Sequence, residues 1–443
     1  MERNNKRYGL FTAITMIIGI CIGSGIFFKS DNVLVATGGS VVLGAFVFVL
    51  AAIAIVFGGL AMGQLASLTD KPGGIFTYFE QFAGPRWACA FGWFQVFVYY
   101  PAITIVVSWV VGIYGSILFN IQASLEEQIL IGLVFCALCF LYNVLWAKLG
   151  GFFQNFSTVV KLIPLALLGI AGILWGDPIG GLRSLSSSSL SGIGWLAAVG
   201  PVAYSYDGWV VSTSISHEVK NARRNLPIAL TAAPLIILLI YVTYFVGITC
   251  YVGPEQVMAL SDAHVTEAAA SLFGDTFAKA ITVFVVVSVM GTVNGLVMGY
   301  IRMPYSLSLR QGMMPFSSTL SRVHPKLGIP VHSAVFSFVI CCIWMALHYL
   351  ATRFNLLPNS DVSEIAIAIS YLFYPVLYFA IYRLYKKGQI KSRWQGVGIP
   401  VLAFCGSLII LSGAVQNKLF PLYLALCAVV ALLSQVYCRK RLP

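Results

Sequence analysis

Long stretches of apolar residues follow one another along almost the whole chain, separated by short links that contain polar residues, glycine or proline. Each stretch can cross the roughly 30 Å hydrocarbon core of a bilayer, which takes about 20 helical residues. The apolar residues run on without the alternation of a membrane β-barrel, so the stretches predict α-helices. We predict twelve membrane-spanning helices, near residues 9–35, 40–66, 86–118, 126–147, 152–175, 192–215, 228–252, 276–301, 331–351, 363–385, 398–416 and 420–438.

The composition leaves too few charged residues for a water-facing surface. Of the 443 residues, 59% are hydrophobic and 9% are charged, and the mean hydropathy is +0.88. A soluble domain carries about 25% charged residues. A soluble protein, a disordered chain and a secreted disulfide scaffold are therefore excluded. The fold class that remains is an all-α membrane protein, with residues 1–443 as a single polytopic domain.

The net charge of +12 could indicate nucleic acid binding in a soluble protein, but its distribution indicates a membrane topology instead. If the N-terminus is cytoplasmic, 21 of the 27 lysines and arginines fall at the cytoplasmic ends of the predicted helices. Such a bias is the positive-inside signal of membrane proteins. We therefore expect both termini in the cytoplasm and contact between the basic ends and anionic lipid, with no nucleic acid partner.

The polar residues form none of the motifs that are typical of enzymes or ATP-driven pumps. The sequence has no phosphate-binding loop, no nucleophile elbow and no metal-ligand motif. Cys136 and Cys139 make a C-x-x-C pair within an apolar stretch, and we predict that they are small core residues. We predict no catalytic residue, no cofactor and no metal. A channel would need polar rings along a pore and a receptor would need a soluble domain, and the sequence has neither feature.

Two of the twelve stretches contain residues that disfavour a helix. Three glycines and a serine lie within residues 19–25, and the sixth stretch contains Gly200, Pro201, Ser205, Asp207 and Gly208. Each glycine costs a helix interior about 1 kcal/mol and proline about 3 kcal/mol. We expect both helices to be unwound at mid-membrane, where irregular backbone is tolerated only along a cavity. The alternative is that the glycines allow close helix packing.

The two broken helices begin two similar halves of the chain. The first half, 9–175, and the second, 192–385, each contain five predicted spans, and the spans at 398–438 belong to neither. Transporters are often built from two such repeats, with the substrate site at their interface near the bilayer midplane. We therefore predict a binding site between the two breaks.

The backbone groups freed by the breaks match a free α-amino acid. N–H groups of Gly23, Ser24 and Gly25 would stand at the start of a half-helix, where the helix dipole favours a carboxylate. Freed carbonyls at Cys21 and Ile22, and in the stretch Tyr204-Ser205-Tyr206-Asp207, can accept hydrogen bonds from an ammonium group. Both charged ends of a zwitterion are thereby bound, whereas a polyamine or a sugar could not use both sets.

Several motifs resemble those of the L-amino acid transporter family, which belongs to the amino acid–polyamine–organocation superfamily. They are Gly23-Ser24-Gly25-Ile26-Phe27, Pro72-Gly73-Gly74 with Tyr78, Tyr206-Asp207-Gly208-Trp209, and Ser288-x-x-Gly291-x-x-Asn294-Gly295 followed by Gly312 and His324-Pro325. The resemblance implies a LeuT-type fold of twelve helices, with two inverted five-helix repeats and two added helices. It also implies transport, most similar to that of bacterial exchangers of small neutral amino acids of the serine/threonine or alanine/serine/cysteine type.

Residue by residue, the resemblance places the substrate carboxylate at Ser24 and Gly25 and the amine at carbonyls of Cys21, Tyr204 and Asp207. It makes Tyr204 the aromatic gate above the substrate. Two departures matter. Ser30 stands where relatives often have proline. The link from Asn120 to Gln128 lacks the cysteine that animal relatives use to bind a heavy-chain partner through a disulfide. We therefore expect a prokaryotic carrier that works alone in the bacterial inner membrane.

Two ionisable residues within the spans have open roles. Lys161 matches the fifth-span lysine of the family, and it could reach carbonyls around Gly19 and the hydroxyl of Ser288 as an internal cation in place of sodium. Alternatively, Lys161 is a purely structural buried lysine. Asp207 either caps the second half of helix six or acts directly as a substrate or proton ligand.

The sequence predicts sodium-independent transport of neutral L-amino acids by alternating access, by exchange or, alternatively, by proton-coupled uptake. Which side chain is preferred depends on packing that the sequence does not reveal. Four acidic residues in the links are expected to form a solvated outer face: Glu126, Glu127, Asp262 and Glu267.

Overall fold

The computed structural model describes residues 9–23, 25–69, 74–183, 192–210, 219–310 and 312–439 of the chain. Within these ranges, ten helical stretches are long and apolar enough to span a membrane, and they coincide with ten of the twelve predicted spans. They are Val41–Ser67, Pro85–Leu118, Leu125–Leu145, Leu149–Trp175, Arg224–Val252, Asp275–Ser308, Val331–Arg353, Val362–Lys386, Trp394–Val415 and Phe420–Arg439. The first and sixth predicted spans contain shorter helices.

The α-helices of the first half are α1 (Leu10–Cys21), α2 (Gly25–Phe28), α3 (Ser30–Ala36), α4 (Val41–Ser67), α5 (Gly74–Tyr78), α6 (Pro85–Phe94), α7 (Tyr100–Leu118), α8 (Leu125–Leu145), α9 (Ala147–Val160), α10 (Leu162–Trp175) and α11 (Pro178–Arg183). A π-helical turn at Gln95–Tyr99 joins α6 to α7, and another at Phe79–Ala83 follows α5. The turn Gln95–Tyr99 makes α6 and α7 one continuous span, Pro85–Leu118.

The α-helices of the second half are α12 (Val199–Ser205), α13 (Ala222–Val252), α14 (Pro254–Leu260), α15 (His264–Phe273), α16 (Asp275–Ser308), α17 (Ser317–Leu320), α18 (Val331–Arg353), α19 (Val362–Lys386), α20 (Ile399–Val415) and α21 (Phe420–Arg439). Turns of 3₁₀-helix lie at Gly194–Ala198 and Ser261–Ala263, and a π-helical turn lies at Trp394–Gly398.

Local polar signals begin several of these helices. Ser124 and Glu127 form a capping box at the start of α8, in which each side chain accepts a hydrogen bond from the other residue's N–H group, at 3.3 and 2.6 Å. Ser40 caps α4 and Asp361 caps α19.

Glu126, Glu127 and Glu267 are exposed, as predicted. The prediction for Asp262 is wrong: it is partly buried, because the turn that carries it packs against α2, α3 and α7.

The centre of the bundle is formed by helices from both halves of the chain. Helix α13 packs against α1, α4 and α10, and α16 packs against α7 and α9. The backbones of α10 and α13 approach so closely that a Cβ atom on Gly169 would lie 2.9 Å from the Cα atom of Tyr244. Such contacts between small residues hold membrane helices together. Large apolar side chains such as Leu239 and Leu432 are exposed on the rim, where lipid would surround them.

The bundle has two faces, which we define by the first predicted span. The N-terminal face is the one at which α1 begins, and the opposite face is the one at which α3 ends.

A disulfide between Cys89 and Cys438 joins α6 to α21 at the N-terminal face. We did not predict this bond. Cys136 and Cys139 remain free thiols and are buried, in agreement with their prediction as core residues.

Candidate functional site

The helix of the first predicted span is interrupted near its middle, and the described helix of the sixth ends near the middle of that span. We call these two places the interruptions. Helix α1 ends at Cys21, the backbone of Ile22 is extended (φ −68°, ψ 102°), and helix begins again at Gly25. Helix α12 ends at Ser205, and Gly208 has a φ of +99°, in the left-handed region that favours glycine. Helix α12 contacts both α2 and α3, so the two interruptions lie side by side.

At Gly25, the glycine allows close packing between the first and the sixth span, which is the alternative role considered for the glycines. A Cβ atom there would lie 2.8 Å from Cδ1 of Tyr204 and 2.9 Å from Cα of Ser205. Only glycine lets the first span approach the sixth so closely. Gly25 and Gly23 also line a cavity. Both interpretations of the glycine-rich segment therefore describe part of it.

A cavity of about 300 Å³ lies beside the two interruptions. Its volume is at the lower end of the range for small-molecule sites, about 300–1,000 Å³. The predicted site residues that line it are Cys21, Gly23, Gly25, Lys161, Tyr204, Ser205 and Asp207. Ile22 and Ser288 are fully buried and are not part of its lining, and Ser24 lies outside the described residues. Other lining residues include Tyr99, Tyr100, Gln154, Thr292, Met298 and Arg302.

Tyr241 connects the two interruptions, a role that nothing in the sequence indicated. Its hydroxyl lies 2.7 Å from the carbonyl oxygen of Ser205 and 3.2 Å from that of Cys21, and it donates to both acceptors. The Ser205 side chain is not directed at a ligand, because its hydroxyl donates to the Pro201 carbonyl at 3.0 Å. Ser205 can therefore interact with a ligand in the cavity through its backbone and not through its hydroxyl.

Asp207 lines the cavity and accepts a hydrogen bond from the hydroxyl of Tyr99 on the third predicted span. Its carboxylate also accepts from the N–H group of Gly208, directly after it. A helix cap would accept from an N–H group two or three residues on, so this bond to the next residue does not distinguish the two roles. The prediction that Asp207 caps the second half of helix six concerns residues up to 215, of which 211–215 lie outside the described residues. The carboxylate is thus placed both to organise the local backbone and to face the cavity.

Lys161 lies at the junction between α9 and α10, and its side chain is buried. Its ammonium group donates a hydrogen bond to the Gly19 carbonyl in the last turn of α1. The sequence predicted this contact between Lys161 and a carbonyl around Gly19. The expected contact to Ser288 is not formed: the hydroxyl of Ser288 is buried and has no hydrogen-bond partner in the described part of the chain.

At the end nearer the opposite face, the cavity is closed by Tyr204 and a buried group of charges. The Tyr204 ring packs edge-on against Phe28, with centroids 5.3 Å apart, and the ammonium of Lys29 lies 5.1 Å from the Tyr204 centroid. Lys29 in turn donates to Asp361 at 2.6 Å and to Glu364. All three charged side chains are buried, so α19 is tied to the first span directly above the Tyr204 ring.

The other end of the cavity is accessible to solvent. Gln154 and Met298 are partly exposed there, and Arg302 is exposed. The cavity is therefore closed toward the opposite face and open toward the N-terminal face. A solute at the two interruptions could leave in one direction only, which is the geometry of one state of an alternating-access carrier.

Replacing Tyr204 by alanine tests the closure. We expect the Tyr204→Ala variant to lose transport about tenfold or more, because an aromatic side chain of this size buries about 150–250 Å² and its edge-on pair adds about 0.5–1.5 kcal/mol. The measurement is uptake by a purified, monodisperse variant. Tyr204→Phe is the matched control, since it keeps the ring against Phe28. Normal uptake kinetics in well-folded Tyr204→Ala protein would argue against a gate.

The chain also resembles known transporters over most of its length. The sequence model described as "Amino acid permease" matches residues 8–430. The serine/threonine exchanger SteT of Bacillus subtilis (strain 168) is 30% identical over 441 residues, 98% of this chain and 97% of that protein. The cystine/glutamate transporter of Homo sapiens is 27% identical over 83% of this chain and 74% of its own length.

One solved structure shows the same fold. The crystal structure of MhsT in complex with L-phenylalanine superposes with a TM-score of 0.62 at 15% identity, covering 91% of this chain and 98% of MhsT. It supports the LeuT-like architecture, and the sequence relatives confirm the resemblance to amino acid transporters and exclude an enzyme. With a family match that extends from residue 8 to residue 430, the chain belongs to the amino acid permease family.

Proposed function

We propose that this protein carries small neutral L-amino acids across the membrane by alternating access and exchanges one amino acid for another. The observation that carries the proposal is the cavity beside the break in the first span and the end of helix α12, closed at one end by Tyr204 and Lys29 and open at the other. The similarity to a serine/threonine exchanger over 97% of that protein's length supports the substrate class.

The proposed substrate site uses backbone groups for both charged ends of the amino acid. The N–H groups of Gly23, Ser24 and Gly25 would bind the carboxylate, and carbonyls at Cys21 and Ile22 and in Tyr204–Asp207 would accept from the ammonium. Tyr204 would be the gate above the bound molecule. The fit is to a zwitterion of small size, because the cavity measures about 300 Å³.

The proposed membrane arrangement adds the first and sixth spans, as discontinuous helices, to the ten long ones. Residues 9–175 and 192–385 would be the two inverted repeats, followed by the helices of 398–438. The basic residues at the N-terminal face favour placing that face, and both termini, in the cytoplasm of a bacterial cell. The structure would then be closed to the outside and open to the cytoplasm.

Lys161 is proposed to act as an internal cation that steadies the first span. Its bond to the Gly19 carbonyl lies one turn before the interruption, where a free carbonyl would otherwise need another donor. A carrier with its own ammonium at this position does not require sodium. We also propose that the protein works without a disulfide-linked heavy chain, because residues 120–128 contain no cysteine.

A second mode of coupling is favoured by one observation. The Asp207 carboxylate lines the cavity and pairs with a neutral phenol, Tyr99, so it could carry a proton during transport. This would make the protein a proton-coupled uptake carrier of amino acids instead of an exchanger.

Exchange of labelled serine or threonine in liposomes that contain the purified protein tests the function. We expect uptake only when the liposomes contain an amino acid, at equal rates in sodium and potassium. Net uptake into empty liposomes driven by an inward proton gradient would replace exchange by the proton-coupled alternative. Clear stimulation by sodium would contradict the role of Lys161.

Substrate analogues test the backbone recognition. An amino acid with an amidated carboxylate or an acetylated amine should lose nearly all competition with labelled substrate. Each charge-assisted set of hydrogen bonds contributes about 1.5–3 kcal/mol, or roughly ten- to a hundredfold in affinity. Inhibition of exchange by each analogue, compared with the parent amino acid, measures the loss. Equal competition by the decarboxylated amine would refute the carboxylate assignment.

A further inference from the structure

A second group of buried polar side chains lies near the opposite face and is not part of the cavity lining. Asp31 is on α3 and His264 begins α15, and both are buried. Asp262 lies in the 3₁₀ turn Ser261–Ala263, which contacts α2, α3 and α7. Tyr114 of α7 and Tyr244 of α13 complete the group. Four separate parts of the chain thus meet here.

Within the described residues, four atoms of this group are buried without a hydrogen-bond partner. They are Oδ1 of Asp31, Nε2 of His264 and the hydroxyls of Tyr114 and Tyr244. Asp31 interacts electrostatically with His264, with Asp262 and with both phenols, so the atoms belong to one neighbourhood. A buried polar atom left unsatisfied costs about 1–3 kcal/mol. Two of them, Oδ1 of Asp31 and Nε2 of His264, are acceptors without a donor, so an occupant that brings a hydrogen atom would reduce this cost.

The charges around this group are unbalanced. The Nδ1 atom of His264 contacts the Ser261 carbonyl, so it carries the ring proton and Nε2 is an acceptor.

Lys29 is the lysine near Asp31 and Asp262, and it already binds Asp361 and Glu364. Among the residues that the structure describes, Asp31 and Asp262 are therefore left without a cation of their own. The buried imidazole of His348 lies near Asp361. A proton is the smallest occupant that reduces the negative charge of the two carboxylates and also adds a hydrogen atom for the acceptors Asp31 and His264.

Asp262 is the group best placed to take that proton. Burial, together with the charge of Asp31, raises the pKa of Asp262 to about 7, and Lys29 opposes the rise. Burial lowers the pKa of His264, which keeps the imidazole neutral and accepting. A protonated Asp262 would donate into a set of acceptors that includes Asp31 and His264.

We propose that Asp31, Asp262 and His264 form a proton-binding site that holds the outer half of the first span closed against the segment 254–273. The inference rests on the proposed function, because it assumes that this half moves when the carrier opens outward. In the open state Asp262 would be hydrated and its pKa would return toward its ordinary value of about 3.9. The proton therefore binds the closed state more tightly, and acidification outside stabilises that state.

The test is exchange in liposomes with the outer pH varied from 8 to 6 and the inner pH fixed. We expect the wild-type rate to fall about three- to tenfold on acidification. Protonation of a group with a pKa near 7 shifts the equilibrium toward the closed state by about this factor between pH 8 and pH 6. Asp262→Asn should remove this dependence, and Asp31→Asn should weaken it. Glu267→Gln is the matched control, since Glu267 is an exposed carboxylate on α15, and it should keep the wild-type profile.

Amide hydrogen exchange of residues 254–273, corrected for intrinsic rates, gives a readout independent of transport. We expect more protection at pH 6 than at pH 8 in the wild type and no difference in Asp262→Asn. A flat wild-type pH profile, or an Asp262→Asn protein with the wild-type profile, would overturn the proton site. Protection that changes as expected in a protein without exchange activity would support the site and refute the proposed function instead.

Discussion

The Lys161→Met variant is expected to lose amino acid exchange about ten- to a hundredfold while it remains folded, since a hydrogen bond from a charged donor contributes about 1.5–3 kcal/mol. Methionine keeps most of the packing volume but cannot donate to the Gly19 carbonyl. The last turn of α1 would then lose the group that fixes its orientation before the interruption. The measurement is exchange in liposomes with size-exclusion chromatography as the check on folding.

Lys279→Met is the matched control for this result, because Lys279 is an exposed lysine on α16 that is far from the cavity lining. It should exchange at the wild-type rate. A structural role for Lys161 predicts a different outcome, in which the variant aggregates or unfolds at a lower temperature. Wild-type exchange by monodisperse Lys161→Met protein would refute the internal-cation role.

The second large effect is expected for Lys29→Met, which removes the ammonium between Asp361 and Glu364. Two carboxylates would be left buried without a cation. Removing one partner of a buried ion pair destabilises a protein by about 3–5 kcal/mol. We expect a clear drop in the thermal unfolding temperature and loss of exchange, because the first span is no longer held to α19. Thermal unfolding in detergent and exchange in liposomes measure the two effects.

Two further variants test whether the loss of stability in Lys29→Met comes from leaving buried carboxylates without a cation. Lys29→Met combined with Glu364→Gln leaves one buried charge fewer, so it should recover part of the lost stability. Arg353→Met removes an exposed pair in which the guanidinium lies 3.9 Å from Glu126. Exposed pairs contribute about 0–1 kcal/mol, so this variant should unfold close to the wild-type temperature. Equal unfolding of Lys29→Met and wild type would contradict the argument.

The long spans could be predicted because hydropathy records directly which residues face lipid. The breaks at Cys21–Gly25 and after Ser205 could be located because glycine and proline have known costs in a helix. The cavity residues adjoining those breaks were found for the same reason. Lys161 was identified because a cation within an apolar stretch is conspicuous.

What could not be predicted depends on pairs that are distant in sequence. Lys29 and Asp361 are separated by 332 residues, and hydropathy gives no sign that they meet. Tyr241 resembles any aromatic residue of a span until its hydroxyl is placed between two carbonyls. Asp262 has the sequence context of a solvated link, and it is partly buried because the segment 254–273 folds back onto the helices. Cys89 and Cys438 showed no motif that would pair them.

The hydroxyl of Tyr241 has a consequence for the kind of molecule that the proposed site accepts. One hydrogen atom serves two carbonyl oxygens, those of Cys21 and Ser205, so these two acceptors are short of hydrogen atoms. A primary ammonium group brings three hydrogens to this place, and a trimethylated one brings none. The shortage is one of hydrogen atoms rather than of charge, and it is the same for every amino acid side chain. Tolerance of different side chains, combined with intolerance of a blocked nitrogen, is what such a shortage produces.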